Sequence, residues 1–158
     1  MADSIALSGG AGNDANIAGL TWQIDKDDPL KQFRESELTG HLEFGLGYVQ
    51  SRAPAQDNNA VSAIGATPVL RLESSDGITT PFVEGGIGVR FLSDTHISDT
   101  RTTSTAFQFG ELIGGGVRFG PAQSMEVGVR LEHVSNGGIK KPNDGLTFAV
   151  LRLAYHYN

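Results

Sequence analysis

Residues 38–48 alternate with a period of two: Leu38, Leu42, Phe44, Leu46 and Tyr48 share one parity with Gly40, and Thr39, His41, Glu43, Gly45 and Gly47 share the other. Successive side chains of a β-strand point to opposite sides, so this pattern marks a strand with two unlike faces. It recurs along the chain. Residues 81–92 set Val83, Ile87, Val89 and Phe91 against Glu84, Gly86, Gly88 and Arg90. Residues 125–135 set Met125, Val127, Val129 and Leu131 against Glu126, Gly128, Arg130 and Glu132. The last segment sets Ala149, Leu151, Leu153, Tyr155 and Tyr157 against Phe148, Val150, Arg152, Ala154 and His156. Weaker runs follow Ala18, Leu20, Trp22 and Ile24, and Ile64, Ala66, Leu70 and Leu72. Residues 107–119 keep the alternation with one conflict, Glu111, on the apolar side, and a short N-terminal run at 4–8 makes the eighth segment. Turns fit at 9–13, 25–36, 51–59, 74–80, 93–104, 120–124 and 136–145. The expectation is an all-β chain forming one domain over residues 1–158, an eight-stranded antiparallel up-and-down β-barrel.

A soluble barrel buries its aliphatic parity, whereas a membrane barrel turns it outward to lipid. The polar parity decides between them. It carries Arg71, Arg90, Arg118, Arg130 and Arg152 with Glu43, Glu84, Glu126 and Glu132, plus His41, Gln108 and many Gly, and it contains no Lys. Near-balanced Arg and Glu suit a shielded interior where charges must pair, and small residues suit the narrow lumen of eight strands. The chain is therefore expected to be a transmembrane barrel with a plugged, salt-bridged interior, not a pore. Phe91, Phe119, Tyr48, Trp22, Tyr155 and Tyr157 can supply thin interfacial girdles. The alternative on periodicity alone is a soluble lipocalin-like barrel that binds an apolar ligand.

Composition removes other classes. The longest stretch free of Asp, Glu, Lys and Arg runs over residues 58–70, too short for a spanning helix. There is no Cys, which excludes disulfides, thiolate metal sites and cysteine nucleophiles. A net charge of −6 argues against a nucleic-acid partner. The opening Met1-Ala2-Asp3 has no basic stretch followed by an apolar run, so we expect a mature chain carrying an added start Met.

With both termini at the periplasmic end, the seventh strand finishes on the extracellular side at His133-Val134-Ser135. His133 and Ser135 share a face, and it is the lipid face of Val127, Val129 and Leu131. Polar groups at that depth are costly without a reason. A hydrolase of membrane lipids supplies one, with Ser as nucleophile and His as general base. Physics alone leaves equally open that the strand has simply reached the headgroup layer.

The block His133-Val134-Ser135-Asn136-Gly137-Gly138-Ile139-Lys140-Lys141-Pro142-Asn143-Asp144-Gly145 resembles the signature of the lipid A 3-O-deacylase family, and Pro81-Phe82-Val83-Glu84-Gly85-Gly86-Ile87-Gly88-Val89 is similar to its fifth strand. The resemblance implies an outer-membrane esterase that removes the 3-linked acyl chain of lipid A without a metal or other cofactor. It implies lipopolysaccharide of the outer leaflet as partner, Ser135 as nucleophile and His133 as base. Backbone N–H groups around Asn136 and Gly138, with Asn143 nearby, become the oxyanion site. One position departs. The family's third triad member is a Glu two residues after the Asp-Gly pair, and here that position is Thr147. A Thr hydroxyl can hold the imidazole but cannot stabilise its charged form as a carboxylate does. Thr147 or Asp144 is expected to stand in, with reduced activity, and a barrel retired from catalysis into a structural or adhesive role is the alternative.

Lys140 and Lys141 lie in the same loop, either to meet lipid A phosphates or to be solvated. Asp25-Lys26-Asp27-Asp28 and Ser93-Asp94-Thr95-His96 lack metal-loop spacing and read as charged turns, and His41 and His156 read as interior residues rather than ligands.

Overall fold

In the computed structural model, eight antiparallel strands close on themselves: β1 (Ser4–Gly12), β2 (Ala15–Asp25), β3 (Ser36–Ser51), β4 (Ala60–Ser74), β5 (Thr80–Leu92), β6 (Phe107–Phe119), β7 (Met125–Ser135) and β8 (Leu146–His156). The structure describes residues 3–12, 14–26, 28–53, 59–74, 78–98 and 101–157. Much of the expected turns at 51–59 and 74–80 lies outside them, as does Asp27. Each strand pairs with its sequence neighbours, and β1 pairs with β8 from Ser4↔His156 to Ala11↔Ala149, which seals the barrel. Both termini therefore lie at one end, and the β7–β8 connection lies at the other.

β1 runs four residues beyond the expected run at 4–8, through Gly9-Gly10-Ala11-Gly12. Small residues carry no apolar alternation, so the pattern is silent there. The backbone is nonetheless paired on both sides, and a Cβ on Gly10 or Gly12 would run into the carbonyl oxygens of Ala149 or Thr147. The long 25–36 turn holds a two-residue strand, Lys31–Gln32, against Glu37 and Leu38. The 93–104 turn folds back as a small hairpin of His96–Ser98 and Arg101–Thr102.

The aliphatic parity faces outward. Leu7, Leu46, Ile64, Val83, Val129 and Leu151 are all more than half exposed, whereas Arg71, Arg152, Gln23 and Glu126 on the other parity are almost completely buried. Arg71 donates to Glu84 (2.7 Å) and Glu126 (2.8 Å), and Arg130 to Glu43 (2.7 Å) and Glu84 (2.6 Å). Arg152 reaches Glu126, Gln23 and Glu43. Three buried guanidiniums thus share three carboxylates in one network, which offsets the cost of removing each charge from water. His156 and His41 join at Glu126 (3.0 Å) and Glu43 (3.3 Å). Arg90–Glu132 and Arg118–Glu73 extend the pairing toward the two ends.

The lumen is not polar throughout. At the end carrying the β7–β8 connection, Ala15, Val49, Val61, Leu146, Phe148 and Val150 form an apolar plug, and Ile97 of the small hairpin caps it. Outside, Trp22 lies 6.3 Å from Phe44 near the terminal end, and Phe91, Phe107 and Phe109 stack edge to face near the other.

Candidate active site

β7 ends where its outward parity turns polar, and the register fixes what surrounds that change. His133 stands opposite Thr147 on β8 and opposite Glu111 on β6, while Ser135 stands opposite Phe109. His133 and Ser135 are both partly exposed on the apolar outer face. The imidazole Nδ1 lies 2.8 Å from Thr147 Oγ1. In the tautomer whose Nδ1–H donates to that hydroxyl, Nε2 keeps its lone pair, which a general base requires.

The other edge of the ring borders Gly145. A Cβ on Gly145 would stand 2.8 Å from His133 Cε1, 3.1 Å from Nε2 and 3.4 Å from Ser135 Cβ. The missing side chain leaves open the space shared by the imidazole and the serine. Gly145 is held there from two sides, its N–H donating to the Asn143 carbonyl (3.1 Å) and its carbonyl accepting from Arg101 Nη1 (3.0 Å).

The loop between the strands is wound around Asn136, which is completely buried. Its side-chain amide donates to the carbonyls of Thr103 and Lys140 (both 2.8 Å), and its Oδ1 accepts from the Gly138 N–H (2.9 Å). Its own N–H donates to Asn143 Oδ1 (3.0 Å). The two N–H groups expected at the oxyanion site are thus donors within the loop, and Asn136 and Asn143 organise the turn. Gly137, with φ of 64°, lies against Phe109, whose ring carbons would be 3.1 Å from a Cβ there. Lys140 and Lys141 are exposed at the loop's outer side.

Of the two stand-ins expected for the family Glu, the structure brings Thr147 to the imidazole and gives Asp144 to another partner. The Asp144 carboxylate accepts from the Thr102 N–H (3.1 Å), and the Asp144 N–H returns a bond to the Thr102 carbonyl (3.2 Å). These two bonds tie Asp144 to the small hairpin, which supplies both the N–H and the carbonyl of Thr102. Glu132, next to His133 in sequence, points inward to Arg90 (2.9 Å). Sequence reasoning did not single out Gly145, Arg101 or Thr103, because the 93–104 segment carries no pattern that ties it to the 136–145 loop.

An apolar groove of about 700 Å³ runs across the outer face to His133 and Thr147, bordered by Leu70, Ile87, Ile113 and Leu131. Gly85 opens it by contributing no side chain. The arrangement is an imidazole hydrogen-bonded to a hydroxyl, a serine on the same face, and an apolar groove beside the imidazole.

The family model for lipid A 3-O-deacylase (PagL) matches residues 16–156. The chain is 35% identical to the lipid A deacylase PagL of Pseudomonas aeruginosa over 128 residues, covering 81% of this chain and 69% of that protein. It is 43% identical to the lipid A deacylase PagL of Bordetella bronchiseptica over 76 residues, or 48% of this chain and 41% of that one. The crystal structure of the outer membrane enzyme PagL aligns with a TM-score of 0.86 at 28% identity, covering 98% of this chain and 99% of the other. An inverted eight-stranded barrel with a His–Ser pair on its lipid face, matched over most of its length, belongs to the lipid A 3-O-deacylase (PagL) family of outer-membrane proteins.

Proposed function

We propose that this chain hydrolyses the ester of the 3-linked acyl chain of lipid A at the outer-leaflet level of the membrane. The Ser135 hydroxyl attacks the ester carbonyl carbon while His133 Nε2 takes its proton. The tetrahedral intermediate collapses, the bond to the sugar oxygen breaks, and the imidazolium returns the proton to that oxygen. Water, activated by the same base, then attacks the acyl-serine, releases the fatty acid and restores Ser135. The observation that carries this reading is the 2.8 Å contact between His133 Nδ1 and Thr147 Oγ1. It orients the imidazole on the outer face that it shares with Ser135, as a general base requires.

The groove beside His133 accepts the acyl chain, and the exposed Lys140 and Lys141 meet the phosphates. Thr147 supplies orientation. A rival reading, a barrel retired from catalysis, is favoured by the absence of a carboxylate hydrogen-bonded to His133 among the described residues.

The detergent-purified barrel incubated with lipid A separates the two. Hydrolysis removes the mass of one hydroxyacyl chain in the wild type and not in Ser135→Ala. Unchanged lipid A with the wild type, or equal product from both, contradicts the proposal.

A further inference from the structure

The eight outward faces carry almost no formal charge. β1, β2, β3, β4, β5, β7 and β8 place no Asp, Glu, Lys or Arg on that parity among the described residues, and β6 places one, Glu111. It sits mid-strand with Phe109 and Ile113 on the same face, where an ionised side chain is disfavoured by the surrounding hydrocarbon. One neighbour on that face has a use for it. The register sets Glu111 directly opposite His133, and continues the row from Ile87 through Glu111 and His133 to Thr147. Glu111 and Thr147 therefore flank the imidazole from its two neighbouring strands. Directly opposed residues on an antiparallel pair have Cβ atoms about 4.5–5.5 Å apart.

We infer that Glu111 is a positioning residue that supplies the negative charge for the imidazolium of His133, a charge that the neutral Thr147 does not provide. The inference rests on the proposed role of His133 as base. The two functions that a single carboxylate performs in a Ser–His–acid triad are here divided between two strands. Thr147 fixes the tautomer through its hydrogen bond to Nδ1. Glu111 is not hydrogen-bonded to the ring and acts through space, across a low-dielectric surface where charges are screened less than in water. Its field favours the protonated ring that forms as Ser135 attacks.

The other groups around His133 do not duplicate it. On β8 the facing residue is the uncharged Thr147; on its own strand Ser135 is uncharged and Glu132 points inward to Arg90. From the loop, Asp144 is bound to Thr102, and Lys140 and Lys141 are exposed; from the small hairpin, Arg101 is bound to the Gly145 carbonyl. The nearby cations oppose the imidazolium, so Glu111 alone favours it from a facing strand.

Glu111→Gln keeps the shape and removes the charge. We expect kcat to fall about tenfold with KM little changed. Glu111→Asp should retain most of the activity. In a Thr147→Glu background, Glu111→Gln should cost less than twofold, because the charge is already present. Wild-type kcat in Glu111→Gln, or a loss in Glu111→Asp as large as in Glu111→Gln, would overturn this inference alone. Wild-type turnover in Ser135→Ala would instead overturn the assignment on which it rests.

Discussion

Gly145→Ala adds one methyl group at the point where the loop meets the His–Ser pair. Gly145 is not among the glycines with positive φ, so the backbone accepts an L side chain and the perturbation is purely spatial. The new Cβ would stand 2.8 Å from His133 Cε1, which is 0.6 Å inside the 3.4 Å at which ordinary contacts begin. The loop cannot easily withdraw, because the Gly145 carbonyl is held by Arg101 and its N–H by the Asn143 carbonyl. The ring must give instead, which moves Nε2 and strains the bond to Thr147. A misplacement of about 1 Å costs roughly a hundredfold in rate, so a shift of this size should lower kcat on the order of 10- to 100-fold. Stability should change by less than about 1 kcal/mol, since no barrel contact is lost. The assay is the initial rate of lipid A deacylation in mixed micelles, with heat-modifiable gel mobility as the control for folding. A folded Gly145→Ala barrel with kcat within twofold of wild type would refute the placement of the catalytic pair around this residue.

The remaining expectations concern the acid, the loop and the interior. Thr147→Glu should raise kcat and Thr147→Val should lower it, each by about 3- to 10-fold, because one adds charge at Nδ1 and the other removes the oxygen that orients it. Asp144→Ala should weaken activity only several-fold with an unchanged pH–rate profile, since its carboxylate serves Thr102; a displaced acid limb would show that it serves His133 instead. Lys140→Ala combined with Lys141→Ala should raise KM for lipid A at low salt and converge with wild type at high salt, as exposed cations meeting phosphates require. Glu126→Gln should destabilise the barrel by about 3–5 kcal/mol in denaturant titrations, because Arg71, Arg152 and His156 all depend on that buried carboxylate.

What was legible in the sequence follows from which interactions are local. Alternation along one strand needs no partner, so Leu38 to Tyr48 and Met125 to Leu131 display their two faces in sequence alone, and balanced Arg and Glu indicate which face is enclosed. Segments without side-chain contrast stay silent. The pattern stops halfway along β1 because its second half is Gly and Ala, and it hides the apolar plug because Phe148 and Val150 share a parity with Arg152 and His156. The site divides in the same way. His133 and Ser135 declare themselves as polar intruders two residues apart on an apolar face. The choice between Thr147 and Asp144 depends on the β7–β8 register and on a hairpin some forty residues upstream, neither of which one strand encodes. Glu111 was visible as a conflict in its own strand, yet its meaning appears only when β6 is laid against β7.

The claim on which all of this depends is that Ser135, on the outer face of the barrel, is the nucleophile. Covalent labelling tests it with the fewest intermediate steps. A long-chain alkyl fluorophosphonate, incubated with the folded barrel and followed by peptide mass spectrometry, should modify the peptide carrying Ser135. Labelling should slow in His133→Asn and vanish in Ser135→Ala. An adduct at another residue, or equal labelling of the Ser135→Ala barrel, would contradict it.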